Sequence, residues 1–106
     1  MIMETKVVTA AEKLWIKNGQ IHVGHGVYDT ENLQKVIVQI SDLTFVEDTV
    51  RLMMIFDNGT LIVPSMHPFY DTLFEKLIKL IKIDNEAYLR AMNCERTCDF
   101  TIFERN

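Results

Sequence analysis

The residues best able to do chemistry in this chain are three histidines, two cysteines and a few neighbouring carboxylates. His22 and His25 stand three apart in Gln20-Ile-His-Val-Gly-His-Gly-Val27 and are the nearest approach to a metal pair. Strand residues three apart point to opposite faces. Both could therefore ligate one ion only if Gly24 breaks the strand, with a third ligand such as His67 or Asp29 brought from elsewhere. The simpler reading is two polar residues at a strand end, with Gly24 and Gly26 forming an exit turn or bulge. Cys94 and Cys98 are the only cysteines. Four apart on a helix, they would share a face and could form a labile redox bridge. Their spacing is not C-x-x-C, however, and two cysteines are too few for a disulfide scaffold, so two reduced, partly buried thiols are expected. A thiol nucleophile would need His67 as its base, and neither cysteine lies in a strand-to-helix elbow. Glu47 with Asp48, and Asp29 with Glu31, fall in turns and read as solvated turn residues, not as a shielded acid–base pair. There is no G-x-x-x-x-G-K-[ST] loop, no G-x-G-x-x-G and no H-E-x-x-H. No catalytic residue, metal ligand or cofactor is assigned.

The bulk properties narrow the classes further. At 106 residues, 48% apolar and 25% charged, the chain can bury one core and lies outside the disordered regime, so a single domain over 1–106 is expected. The net charge of −4 comes without any basic run, which disfavours nucleic acid and anionic membrane as partners. The strongest apolar stretches, 52–56 and 61–63, fall far short of the roughly 20 residues of a membrane span. The start, Met1-Ile2-Met3-Glu4-Thr5-Lys6, lacks the basic flank and apolar run of a secretory signal. A cytoplasmic location is the resulting expectation.

Any site must be positioned by the elements that the pattern predicts. Asn18-Gly19 and Asn58-Gly59 each sit between apolar, β-branched runs, and Asn-Gly suits the positive φ angles of a type I′ hairpin loop. The first predicts a hairpin of 13–17 with 20–24, the second a hairpin of 51–57 with 60–63. Between them Val36, Val38 and Ile40 alternate with Ile37 and Gln39, a strand with one strongly apolar face and one mixed face. A short strand over 43–47 brings the count to about six, joined by short turns as an antiparallel meander. From 68 to 82 the apolar residues Phe69, Leu73, Leu77 and Leu80 recur at helical period. Asp71 and Glu75 come early and the lysines late, as the helix dipole favours. Ser65 or His67 could cap this helix. A short helix over 86–92 and a strand over 99–104 extend the C-terminal part, and residues 3–11 are read as a short helix. The fold class is thus α+β: a meander forming a bent sheet or open barrel, one amphipathic helix, then a helix and strand extension.

The run Val36-Ile-Val-Gln-Ile-Ser-Asp-Leu43, the hairpin Val50-Arg-Leu-Met-Met-Ile-Phe-Asp-Asn-Gly59 and the helix start Phe69-Tyr-Asp-Thr-Leu-Phe-Glu-Lys-Leu77 together resemble bacterial members of the pleckstrin-homology-like fold. The resemblance covers about 13–82 and implies a strongly bent antiparallel sheet plugged at one end by a C-terminal helix. The family has seven strands before that helix where six are read here, and the residues after Ile83 have no counterpart. Lipid-binding members place basic residues around the first hairpin. Here that turn carries one Lys17 beside Gln20, so headgroup binding is carried over to no residue. The fold by itself would convey no activity.

One feature does favour a function. Leu52, Met53, Met54, Ile55 and Phe56 put apolar side chains on both faces of one strand, although a half-exposed antiparallel sheet should carry a polar face. Either the C-terminal segment covers the second face, which is the favoured reading, or a partner does. The sulfur and aromatic residues Met53, Met54, Phe56, Met66, Phe69 and Phe74 read as core. Trp15 alternates with Leu14 and Ile16 and is expected to pack in the interior, or alternatively to centre a contact site. Trp15, Met53 and Ile55 are therefore the candidate interaction surface of a non-enzymatic binding or assembly module, with a protein partner or a second copy (a homodimer) as its occupant. The competing reading is a small metal-dependent or thiol-based enzyme or sensor using His22, His25, His67, Cys94 and Cys98.

Overall fold

A computed structural model describes residues 4–9, 11–24, 26–41, 49–93 and 98–105. The elements run β1 Glu4–Val7, β2 Leu14–Lys17, β3 Gln20–Val23, β4 Gly26–Asp29, a 3-10 turn Thr30–Asn32, β5 Leu33–Ser41, β6 Thr49–Phe56, β7 Gly59–Pro64, α1 Tyr70–Leu80, α2 Asn85–Met92 and β8 Cys98–Glu104. The class is α+β as expected, but the strands do not form a single meander. They divide into an antiparallel sheet β2-β3-β4 and a five-stranded sheet ordered β1-β7-β6-β5-β8, and no closed barrel forms among the described residues.

The first Asn-Gly hairpin follows from local chemistry. Asn18 at φ 53° and Gly19 at φ 75° fill the two loop positions, and Lys17 pairs with Gln20 as type I′ geometry requires. Its tip is fastened to the 3-10 turn, where the Thr30 hydroxyl and Thr30 N–H both donate to the Gly19 carbonyl, at 2.6 and 2.9 Å. The second hairpin is shifted by one residue: Phe56 pairs with Gly59, so the loop is Asp57-Asn58 and Gly59 opens β7. Gly59 then lies opposite Glu4 of β1 in a parallel pair, which needs a residue without a side chain. A Cβ on Gly59 would come within 2.9 Å of the Glu4 carbonyl oxygen.

Three expectations need correction. Residues 4–7, within the stretch read as a helix, form β1 instead. Thr5 and Val7 are β-branched, and the open edge of β7 supplies partners for the backbone. β4 was not expected at all. It is only four residues long and starts at a glycine, so its own sequence is weak and its pairing with β3 supplies the order. Helix α1 begins at Tyr70 rather than 68, with Phe69 as its N-cap. The expected short strand over 43–47 lies outside the described residues. The C-terminal helix and strand are present, and β8 pairs antiparallel with β5 at the sheet edge, with a register shift at Val36/Ile37 that leaves Ile102 as the extra residue.

One buried cluster draws on both sheets and both helices: Ile21 and Val23 from the small sheet, Val36, Val38, Leu52, Met54 and Phe56 from the large one, Leu73 and Leu77 from α1, and Ala91 from α2. Both helices thus contribute apolar residues to the common core, α2 lying against β8 and β5 of the large sheet and α1 near β2 of the small one. Phe74 links them, its ring 6.4 Å from Tyr70 and 5.1 Å from Tyr88. Only part of the α1 stripe is used, since Ile78 and Leu80 remain exposed. Arg105 closes the other end, donating from Nε to the Leu33 carbonyl at 2.8 Å.

Candidate functional site

The outward face of the five-stranded sheet is where the sequence and the fold disagree. Strand alternation sends Leu52, Met54 and Phe56 inward, each at most 1% exposed, and sends Arg51, Met53 and Ile55 outward, all half-buried. Cross-strand pairing arranges the outward residues in rows. The central row runs Thr101, Ile37, Met53, Ile62 and Val7 from β8 to β1. To one side lie Lys35, Ile55 and Thr60, and to the other Asp99, Gln39 and Arg51. Ile37, Met53 and Ile55 neither belong to the core nor pack against it, and Ile62 is buried yet outside the core cluster.

The favoured cover for this face is not what the described residues provide. β8 extends the sheet sideways rather than crossing it, and α2 packs on the inner side through Ala87, Tyr88 and Ala91. The row beside Met53 carries a second anomaly. Gln39 Oε1 and Arg51 Nε are, among the described residues, the buried side-chain polar atoms without a hydrogen-bond partner. They are direct cross-strand neighbours on the outward face, yet they do not bond each other. An unmet buried donor or acceptor costs about 1–3 kcal/mol, more where the group is charged, so this edge of the face is poorly satisfied in the isolated chain.

Trp15 lies elsewhere. It is 38% exposed on the outward face of the small sheet, with its ring stacked on that of His22 at 5.1 Å and 1° between planes. The expected interior packing is therefore corrected, because β2 sends Leu14 and Ile16, not Trp15, into the core. Beside it a shallow groove of about 400 Å³ runs past Glu12, Lys13, Pro68 and Phe69. A second groove of about 490 Å³ lies between Lys82–Asp84 and β8. Trp15 and the Met53–Ile55 pair thus share no surface: each points away from the common core on a different sheet. Of the sulfur and aromatic group read as core, Met54 and Phe56 are buried, whereas Met53 faces outward and Met66 is 75% exposed.

Of the residues of the competing reading, His22, His67 and Cys98 are described. His22 stacks its ring on Trp15. His67 is buried at the start of α1, with Nε2 2.8 Å from the Glu12 carbonyl and Nδ1 accepting the Phe69 N–H at 3.0 Å. Those two bonds fix the tautomer with the proton on Nε2. The expected cap from Ser65 or His67 is corrected: Phe69 is the N-cap of α1 and no side chain caps the helix, His67 only accepting from the Phe69 N–H just ahead of it. Its anchor is itself held, because Glu12 accepts from the Thr9 N–H at 3.0 Å and from Lys6 Nζ at 2.7 Å. The Lys6 contact, with help from Thr9, lowers the Glu12 carboxyl below its ordinary range. Cys98 is disulfide-bonded, which corrects the expected reduced thiol, and Cys94 and His25 lie outside the described residues. Among the described residues no group of three or more His, Cys, Asp or Glu is placed to hold a metal ion, and no helix is long and apolar enough to cross a membrane.

Gln39, Arg51, Ile37 and Ile62 were not singled out as site residues. The available signal was the mixed Ile37/Gln39 face of β5, which acquires meaning only once the register places Met53 and Arg51 beside it. The chain matches no protein-family model, no curated protein and no solved structure.

Proposed function

We propose that this protein is a non-enzymatic binding or assembly module that docks a protein partner on the outward face of its five-stranded sheet. The observation that carries the reading is the apolar row Ile37, Met53 and Ile62, half-buried to buried, flanked by two unmet polar atoms and lying outside the one core cluster. An apolar patch rimmed by polar groups is the usual signature of an interaction surface. The pleckstrin-homology-like fold belongs to this proposal. Its support is the succession of a three-stranded antiparallel sheet, three further consecutive antiparallel strands β5-β6-β7, and then α1. The test is the double variant Met53→Glu/Ile55→Glu, followed by circular dichroism and urea unfolding at low protein concentration. A docking face accepts both carboxylates, and the variant stays folded within about 1 kcal/mol of the parent, as surface substitutions do. Unfolding of the variant would mean that the face is covered by the chain itself and would sink the proposal.

A further inference from the structure

The same dipeptide, Asn-Gly, stands at both hairpin tips, as Asn18-Gly19 and Asn58-Gly59, and the fold treats the two differently. Asn-Gly is prone to lose its side-chain amide, because glycine puts no side chain in the way when its nitrogen approaches the Asn Cγ. In the first hairpin the ladder closes on Lys17 and Gln20, so the Gly19 N–H lies outside it, and Asn18 is exposed. In the second the closing pair is Phe56 and Gly59, which commits the Gly59 N–H to the Phe56 carbonyl, and Glu4 of β1 lies against Gly59 on the other side. We infer that Asn18 is a site of spontaneous modification, at which the side-chain amide is lost through a ring closed by the Gly19 nitrogen, while Asn58 is held intact by the pairing of Gly59.

The first loop is already shaped for the approach. Asn18 has φ 53° and is, among the described residues, the one non-glycine at positive φ. A type I′ loop becomes type II′ by turning over the peptide between its two central residues, which leaves φ of the first near about +60° and takes its ψ to about −120°. At that ψ the Gly19 nitrogen eclipses Asn18 Cβ and faces Cγ. Gly19 has only to change the sign of its φ, now 75°, and glycine does so without steric cost. The Lys17–Gln20 pair stays closed, and the Gly19 carbonyl, beyond the turned peptide, keeps both its bonds from Thr30. Gly59 has no such freedom. Its nitrogen reaches Asn58 Cγ only by leaving the ladder.

The reaction needs water and nothing else. The Gly19 nitrogen gives up its proton and bonds to Asn18 Cγ, and the side-chain nitrogen leaves as ammonia. Water then opens the cyclic imide. Addition at Cγ gives aspartate, and addition at the main-chain carbonyl gives isoaspartate, whose backbone runs through Cβ and Cγ. Either product adds a negative charge. Isoaspartate also lengthens a loop that type I′ geometry limits to two residues, so the tip is drawn away from Thr30.

The test is to incubate the full chain for weeks at neutral and at mildly alkaline pH, folded and in guanidinium chloride. Both asparagines are followed by peptide mass spectrometry with electron-transfer fragmentation, which separates isoaspartate from aspartate. In the folded chain Asn18 should convert at least about tenfold faster than Asn58, a factor set by the ladder bond that Gly59 must give up. In denaturant, where neither glycine is paired, the two rates should draw level. Both acids should form at position 18, faster at the higher pH, and hydroxylamine should cleave the chain after it by trapping the imide. The isoaspartyl fraction, isolated by ion exchange, should lose hydrogen-exchange protection at the Thr30 N–H. Equal rates at the two positions in the folded chain, or an Asn18 that converts only in denaturant, would overturn the inference. Aspartate alone at position 18, with nothing for hydroxylamine to trap, would overturn the ring.

Discussion

The two faces of strand β6 carry nearly the same chemistry and meet opposite fates. Leu52, Met54 and Phe56 are sealed against both helices and the small sheet, whereas Arg51, Met53 and Ile55 face outward with no described helix over them. In β2 the contrast between faces is already written in the residue types, since Leu14 and Ile16 point in and Trp15 and Lys17 point out. A strand apolar on both sides can arise because it is buried on both sides or because one side is reserved for something else. In β6 the register favours the second explanation, because the C-terminal strand lengthens the sheet instead of covering it.

The contrast breaks most visibly under truncation. Leu52→Ala should cost about 2–5 kcal/mol by urea unfolding, through lost transfer energy and a cavity, while Met53→Ala on the same strand should cost under about 1 kcal/mol. Equal losses would mean that both faces are core. Gly59→Ala comes next. Its Cβ would press on the Glu4 carbonyl, and the rigid neighbour is backbone, so a loss of about 1–3 kcal/mol is expected. Hydrogen exchange should show where the strain goes, with the bond from the Val8 N–H to the Ile62 carbonyl losing protection first as β1 peels from the sheet.

Tyr70 sharpens the comparison from the inner side. Its partial burial at the start of α1, with nearby Tyr88 and Asp71 adding to it, pushes its phenol up to about 12. An unfolded tyrosine titrates near 10, so the unfolded chain gives up its proton first. The contribution is complete below about pH 10 and is lost as pH rises through about 12, amounting to at most about 3 kcal/mol. The melting temperature of the parent should therefore fall relative to that of Tyr70→Phe across that window. A constant difference would show that the phenol is not desolvated. The smallest effect is expected at Trp15→Ala, which removes an exposed ring stacked on His22 and should change stability by about 1 kcal/mol or less, with no change in solution mass. A change in mass would move the docking surface to the small sheet.

Much of this fold was legible because its signals are local. The Asn18-Gly19 turn, the helical period of 70–80 and the alternation of 99–104 each depend on neighbours within a few residues, and each element appears close to its expected place. What failed depended on distant partners. Residues 4–7 became a strand because the free edge of β7 lay ready for pairing, and the second hairpin loop falls on Asp57-Asn58, with Gly59 paired both to Phe56 and to Glu4. The candidate surface was half-legible for the same reason. Met53 and Ile55 stood out as surplus apolar residues in one strand. Gln39 and Arg51 gained their significance only from the register that sets an unmet acceptor beside an unmet donor. Trp15 was grouped with Met53 by residue type, and topology placed it on another sheet.

The measurement that tests the open face most directly is the alkylation rate of Met53→Cys against Met54→Cys, in protein dilute enough to be monomeric. If the outward face is uncovered, the half-buried thiol at 53 reacts much faster than the thiol at 54, which reacts only as fast as the fold opens. Equal and slow reaction at both positions would show that the chain covers its own sheet, and would contradict the docking face.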